Sequence, residues 1–249
     1  LGDVYKRQLP IGAIEQHGPH SPIGVDAFNA KGIAELVAQR TDVMLLPWVW
    51  YGSHPYHHWY MQGTIPLSYE THIAMLVDII QGAAVSGFNK FIILSAHGQV
   101  STTLVAVHKL GLAGHFTLSL HWYDFLRDDK EVLEDYMWHA DEAETSVGLY
   151  LYPQYIDMSK ADKGGGNSLI DKRFIIAPGQ VPKPGMMYHF EGTFARPEYK
   201  ELDNGIIGDA TKATREKGEI LVTRVVNYVV DLIEDIKTRW PIGIKPPVK

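Results

Sequence analysis

The chain of 249 residues contains no cysteine, which excludes disulfide bonds and thiolate chemistry. Any bound metal ion must therefore be held by histidine, aspartate or glutamate. The sequence also lacks the run of about 20 apolar residues that a membrane-spanning helix needs. No cluster of lysine and arginine forms a phosphate-binding stripe, and the net charge of -6 disfavours nucleic acid as a partner. No signal peptide is visible, so a cytoplasmic location is expected.

The bulk composition is typical of a globular protein, with 45% hydrophobic and 21% charged residues. A chain of this length suits one α/β domain. The sequence begins with Leu1, and its opening LGDVYKRQ resembles a translated sequencing adapter. We therefore expect residues 1–8 to be a non-native leader and residues 9–249 to form a single domain.

Helical and strand patterns alternate along the chain. Short apolar runs predict strands over 9–14, 43–50, 90–95 and 115–121, and apolar spacing predicts helices over 27–39, 68–86, 102–112, 142–152 and 208–240. This alternation indicates a three-layer α/β/α sandwich with a mostly parallel central sheet. Ligands of such sheets bind beyond the carboxyl ends of the strands.

The segment EQHGPHSPIGVD follows the first apolar run and holds Glu15, His17 and Asp26. If the strand continued through them, Glu15 and His17 would point to the same side. Asp26 lies where a helix should begin, so a turn could bring its carboxylate back to the other two. Imidazole and carboxylate are ligands of Zn²⁺ and Mn²⁺. The alternative is a helix-capping aspartate beside two polar loop residues.

Two further motifs offer the same chemistry. His97 follows a buried strand in SAHGQV, and His139 and Glu144 lie in WHADEAETS at a predicted helix start. A strand-end histidine could instead bond to the backbone. Acidic residues at a helix N-terminus also complement the helix dipole, although this explains His139 poorly.

EQHG, the aspartate eleven residues after Glu15, AHG after a strand, and HADEAETS together resemble the creatininase (creatinine amidohydrolase) family. The segments YGSHPYHHWYMQGTIPLS and GIIGDATKATREKGE extend the resemblance over nearly the whole chain. Each motif alone is weak evidence, but their common order is specific. The resemblance implies a creatininase-like fold and a hydrolase activity.

The resemblance also implies two divalent metal ions, Zn and/or Mn, at the carboxyl ends of the strands. Glu15 and His97 would serve one metal ion, and His17 and Glu144 the other. Asp26 would bridge the two. Such a centre activates a water molecule and polarises the attacked carbonyl.

Other positions carry implied roles near the substrate. His139 matches a family histidine expected to shuttle a proton to the leaving nitrogen. Gln99 stands where creatinine-hydrolysing members have a catalytic glutamate, and an amide cannot exchange protons as a carboxylate does. A tryptophan that closes over creatinine aligns with Tyr123, next to Trp122, and both are predicted substrate contacts. These departures disfavour creatinine itself as the substrate.

His57, His58 and Trp59 lie in an aromatic loop and could line a pocket for a polar ring. The alternative is a loop packed at a subunit contact. Family members form rings of subunits, so a homo-oligomer, a hexamer of the family type, is expected. The expected partner is a small-molecule substrate, with neither nucleic acid nor membrane.

Three functions follow from these observations. The leading hypothesis is a binuclear hydrolase that opens a small cyclic amide or related ring with a metal-activated water. The second is hydrolysis of a carbon–carbon bond in a keto-inositol, as in a 3-dehydro-scyllo-inosose hydrolase. The third is a family member that binds a metabolite without turnover, which the glutamine at position 99 would suggest.

Overall fold

The computed structural model describes residues 6–54, 59, 61–126, 129–135, 137–165, 204–241 and 243–247. His57 and His58, the predicted substrate contacts, lie outside the described residues. In the described part, no helix is both long and apolar enough to cross a bilayer.

Four parallel strands form the sheet at the centre of the fold. They are β1 (Lys6–Ile11), β2 (Met44–Leu45), β3 (Lys90–Ser95) and β4 (Phe116–His121), in the order β2-β1-β3-β4. All six residues of β3 are buried, as expected for a strand with helices on both faces. A short antiparallel pair, β5 (Lys163–Gly164) and β6 (Gly208–Asp209), lies apart from this sheet.

In the described part of the chain, five α-helices cover the sheet: α1 (Val25–Arg40), α2 (Tyr69–Val85), α3 (Val100–Leu112), α4 (Glu142–Leu151) and α5 (Arg215–Arg239). Side chains of β3 alternate between two cores, because successive residues of a strand face opposite sides. Ile92 and Leu94 pack in a larger cluster with α1, α4 and α5. Phe91 and Ile93 pack in a smaller cluster with α2 and α3. The predicted three-layer sandwich is thereby confirmed.

Two glycines permit close approaches between elements. A side chain at Gly12 would clash with the backbone of Asp26 and Ala27, so the chain leaving β1 can pass directly against the start of α1. A side chain at Gly218 would clash with the carbonyl of Ser146, so α5 packs closely on α4. The first contact brings the end of β1 to Asp26, and the second supports the helix that carries Glu144.

Three predicted element boundaries were wrong. The first strand runs from Lys6 to Ile11 instead of from 9 to 14, so residues 6–8, expected to belong to a leader, pair with β3 in the central sheet. Glu15 and His17 lie in the loop that follows. The second strand is only two residues long with a single later bridge at Val49. The N–H groups that bond to β1 belong to Leu46 and Val49, three residues apart instead of two, so regular pairing is interrupted between them. The last helix begins at Arg215, where the Thr214 hydroxyl accepts the Lys217 N–H at 3.2 Å.

Gln8 occupies a position in β1 that favours an apolar residue. It is fully buried, and its register partner across β3 is Ile92, which packs in the larger core. Neither atom of its carboxamide has a hydrogen-bond partner among the described residues. Burial of an amide without such bonds costs about 1–3 kcal/mol.

We therefore expect Gln8→Leu to raise the free energy of unfolding by about 1–3 kcal/mol, measured by urea denaturation. Gln81→Leu is the matched control, because Gln81 is exposed on α2 and should change stability by less than about 0.5 kcal/mol. Equal effects of the two substitutions would contradict the assignment of an unsatisfied amide in the core.

Candidate metal centre

The site lies at the carboxyl ends of β1 and β3, where the sheet meets the first turn of α1. Glu15 and His17 follow β1 in a loop whose shape is held by the Glu15 N–H, which donates to the Ile23 carbonyl at 2.8 Å. His97 comes two residues after β3. Asp26 is the second residue of α1. These four side chains are almost completely buried.

The carboxylate of Asp26 lies between two imidazoles. Its Oδ2 is 2.9 Å from His97 Nδ1, and its Oδ1 is 3.5 Å from His17 Nε2. His97 Nδ1 is also 3.0 Å from Glu15 Oε2, and His17 Nε2 is 3.4 Å from Glu144 Oε2. All five predicted ligand residues therefore meet in one cluster, divided by Asp26 into two halves.

Three histidines turn one ring nitrogen into the cluster and the other toward a backbone carbonyl. The outward contacts are His17 Nδ1 to the Glu15 carbonyl (3.0 Å), His97 Nε2 to the Ser53 carbonyl (2.9 Å) and His139 Nε2 to the Gln16 carbonyl (2.7 Å). A carbonyl only accepts, so each outward nitrogen carries hydrogen. In the neutral ring the inward nitrogen then has a lone pair available to a metal ion, as second-sphere bonds to ligand histidines commonly ensure.

The buried polar atoms fit a bound cation. His17 Nε2 and both oxygens of Asp26 are buried and have no hydrogen-bond partner within the described ranges. Glu15 and Glu144 add two further buried carboxylates. Such a concentration of negative charge is costly away from water unless positive charge lies within it. Imidazole nitrogens with carboxylate oxygens are a donor set suited to Zn²⁺ or Mn²⁺.

The pKa values of the cluster indicate the same excess of negative charge. Burial by itself lowers the pKa of His17, but the carboxylates of Asp26 and Glu144 outweigh it and raise that pKa to about 10. Burial and the nearby charge of His17 lower the pKa of His139 to about 3. Burial opposes ionisation of Asp26, yet the imidazoles of His97 and His17 hold its pKa below the usual range. The acidic cluster therefore attracts a cation, and His139 is neutral.

Glu144 reaches the cluster because Asp141 starts α4. The Asp141 carboxylate accepts the N–H groups of Ala143 at 2.9 Å and Glu144 at 3.1 Å. Glu144 Oε2 accepts the Ala140 N–H at 2.6 Å. Asp141 therefore serves as the helix cap. Burial and the charge of Glu144 raise its pKa to about 7.

Glu142 points away from the cluster and pairs with Lys217 Nζ at 2.5 Å. Asp141 and Glu142 belong to the same WHADEAETS motif as His139 and could serve as acid–base groups only if they turned inward. Neither does so, because one caps α4 and the other joins α4 to α5.

The side chain of Gln99 makes no hydrogen bond to the clustered side chains among the described residues. Its carboxamide nitrogen lies 3.2 Å from the Gly12 carbonyl and 3.5 Å from Ser95 Oγ, and its oxygen would clash with a side chain at Gly52. The predicted catalytic role of Gln99 is not supported by this placement, which gives the side chain a packing role behind the site.

The aromatic residues predicted to contact substrate differ in placement. Trp122 is fully buried in the larger core and donates its indole N–H to the Ala96 carbonyl at 3.2 Å, so its position argues against substrate contact. Tyr123 packs at the edge of the same core. Trp59 is 38% exposed and donates to the His54 carbonyl at 3.0 Å. Roles for Tyr123 and Trp59 in substrate binding stay predictions.

Two further buried histidines were not predicted to lie beside the metal ligands. His54 Nδ1 lies 3.3 Å from Glu15 Oε1, and His20 Nε2 lies 2.8 Å from Thr145 Oγ1 on α4. His54 follows the bridge at Val49, so its place beyond a strand end was the available signal. His20 lies in the same EQHGPH motif as the predicted ligands.

Restoring a carboxylate at position 99 should not create a catalytic group. Gln99→Glu would set an anionic acceptor against the Gly12 carbonyl, and we expect it to lower the free energy of unfolding by about 1–3 kcal/mol without raising activity. Gln99→Met is the control of similar size without charge. A Gln99→Glu variant that is as stable as the wild type and more active would contradict the packing role.

Known proteins resemble the chain along its length. Residues 8–233 match the creatininase (creatinine amidohydrolase) family. A 3-dehydro-scyllo-inosose hydrolase of Thermotoga maritima is 32% identical, covering 97% of this chain and 80% of its own length. A mycofactocin precursor peptide peptidase of Mycolicibacterium smegmatis is 28% identical, covering 96% of this chain and 91% of its own.

A solved manganese form of creatininase has the same fold. It superposes with a TM-score of 0.74 at 24% identity, covering 96% of this chain and 92% of its own. Because the family match spans most of the chain and the fold agrees, the chain belongs to the creatininase family of hydrolases.

Proposed function

We propose that the protein is a binuclear metal-dependent hydrolase that adds water to the carbonyl carbon of a small ring. The observation that carries this proposal is the position of Asp26. Each of its two carboxylate oxygens faces a different histidine, at 2.9 Å for His97 and 3.5 Å for His17. A carboxylate in that position can be shared by two cations.

The remaining ligands divide between the two halves. Glu15 and His97 would hold one ion with Asp26 Oδ2, and His17 and Glu144 would hold the other with Asp26 Oδ1. Zn or Mn is supported by the donor set and by the manganese form of creatininase. When bound, the two ions would lower the pKa of a water molecule and polarise the carbonyl of the substrate.

His139 is the group proposed to move protons. Its Nε2 carries hydrogen because it donates to the Gln16 carbonyl. Its Nδ1 is 3.8 Å from Glu15 Oε2 and 4.0 Å from Glu144 Oε2, so it lies near one carboxylate of each half. The neutral ring of His139 therefore has its lone pair at Nδ1. It can therefore accept a proton from the attacking water at Nδ1 and deliver it to the leaving atom.

Two ring substrates share this chemistry. In a cyclic amide the leaving atom is nitrogen, as the family description suggests. In a keto-inositol it is carbon, and the Thermotoga maritima hydrolase, at 32% identity, supports that class. Because Gln99 lies behind the site, its replacement of a glutamate is not evidence for the third alternative, a metabolite-binding protein without turnover. A homo-oligomer and a cytoplasmic location stay predictions.

Metal analysis tests the shared centre. Purified wild-type protein reconstituted with Zn or Mn should bind about two equivalents per chain, and Asp26→Asn fewer than about one, because the amide lacks the charge and second oxygen needed for bridging. Asp157→Asn is the control, since Asp157 is an exposed carboxylate far from the cluster in sequence and paired with Lys160. Less than about one equivalent in the wild type would contradict the proposal.

A substrate panel separates the ring classes. Lactams, hydantoin-like rings, keto-inositols and short peptides should be tested with metal-loaded protein and again after chelation. We expect metal-dependent turnover of a ring substrate. Turnover of keto-inositols alone would exclude the cyclic-amide class, and cleavage of peptides alone would exclude both ring classes.

A His139→Gln variant should lower kcat by about 10²–10⁴-fold, the usual contribution of a positioned acid–base group. Its metal content should stay at the wild-type value, because His139 is proposed as a proton carrier and not as a ligand. Loss of a metal equivalent on this substitution would instead make His139 a ligand beside Glu15 and His17, with which it could also hold an ion.

A further inference from the structure

We infer that His54 is a positioning residue for one half of the proposed centre, donating Nδ1–H to Glu15 Oε1 so that Glu15 Oε2 is directed to the metal ion shared with His97. The inference rests on the proposed binuclear site. It makes the two metal positions unequal, because Glu144 is held by the backbone N–H of Ala140, and the imidazole beside it that is not a proposed ligand, that of His139 at 4.0 Å, lies as close to Glu15, at 3.8 Å.

His54 is buried against the ligands of this half. Its side chain has no exposed surface, its Nδ1 is 3.3 Å from Glu15 Oε1, and its ring centroid is 4.7 Å from that of His97. The other oxygen of Glu15 is 3.0 Å from His97 Nδ1. The two oxygens of Glu15 are therefore divided between His54 and His97.

The contact has a defined donor. A carboxylate only accepts hydrogen bonds, and a neutral imidazole carries one N–H. In the tautomer that makes this hydrogen bond, the nitrogen that faces Glu15 bears the hydrogen. With Oε1 engaged in this way, Glu15 can offer a single oxygen, Oε2, to a cation.

The residue before His54 supports the partner ligand. The Ser53 carbonyl accepts His97 Nε2–H at 2.9 Å. Ser53 Oγ lies 2.9 Å from Thr102 Oγ1 on α3, which in turn lies 2.8 Å from His72 Nδ1 on α2. Two consecutive residues, anchored to two helices, thus fix both Glu15 and His97.

Different contacts hold the half of the site formed by His17 and Glu144. Glu144 Oε2 accepts a backbone N–H from Ala140 at 2.6 Å, and His17 Nδ1 contacts the Glu15 carbonyl. Neither contact involves His54. Loss of the His54 imidazole should therefore lower the affinity for one metal ion and leave the affinity for the other unchanged.

Apo-protein titrated with Zn²⁺ against a chromophoric chelator tests this inference without relying on activity. In His54→Ala, we expect the affinity for one of the two ions to fall by about 10–100-fold, the usual effect of removing a second-sphere partner. His54→Asn should recover most of that loss, because its side-chain N–H can replace Nδ1–H. His121→Ala is the matched control, since His121 is buried and contacts Thr103 rather than the cluster.

Each other outcome counts against the inference. Wild-type affinity for both ions in His54→Ala would overturn it. If the affinity for both ions fell equally and the unfolding midpoint also fell, His54 would be a packing residue and not a positioning residue. An Asn variant as weak as the Ala variant would make the imidazole a metal ligand instead of a donor. A wild-type protein that binds no ion would overturn the proposed function and this inference together, whereas the other three outcomes leave the proposed function intact.

Discussion

Three carboxylates buried beside one another are the constraint on which the rest of the site depends. Glu15, Asp26 and Glu144 are each at most 5% exposed, and the low polarity around them makes their mutual repulsion costly. Imidazoles lie between the carboxylates, with nitrogen–oxygen distances near 3 Å, and reduce this repulsion. The raised pKa of His17 expresses the same demand, since a proton there supplies positive charge that a metal ion would otherwise bring.

The backbone brings these charges together through contacts between distant parts of the chain. The absence of a side chain at Gly12 lets the end of β1 pass against the first turn of α1. Carbonyls of the loops after β1 and β2 then orient three imidazoles before any ion binds. Such preorganisation reduces the rearrangement that accompanies metal binding. The sheet thus provides a rigid edge, and the loops provide most of the side chains that could bind a metal ion.

The sequence predicted the layered fold and the residues that form the cluster. It predicted the orientation of those residues less well. Alternating helical and strand patterns were sufficient for the parallel sheet, because βαβ connections allow few arrangements. The types of the ligand residues and their order along the chain were sufficient to predict that Glu15, Asp26 and His97 lie at one edge of the sheet. The strand-alternation argument for Glu15 and His17 was wrong, since β1 ends before both residues. Their orientation depends on contacts with α1 that no local pattern contains.

Other features could not be predicted, because they depend on residues far apart in sequence. The burial of Trp122, the turning of Gln99 toward Gly12 and the approach of His54 to Glu15 each join separate loops. Propensity and motif spacing describe neighbours along the chain and carry little information on such pairs.

The close packing of α5 on α4 has a consequence for biosynthesis. Glu144 lies on α4, and α4 packs against the helix that begins at Arg215, later in the chain. That helix is synthesised after α4, so a nascent chain can assemble β1, β3 and α1 before α4 has its support. Domains generally complete their folding as units. The Glu15 and His97 side of the cluster would then form first, and Glu144 would join it only after α5 has been made.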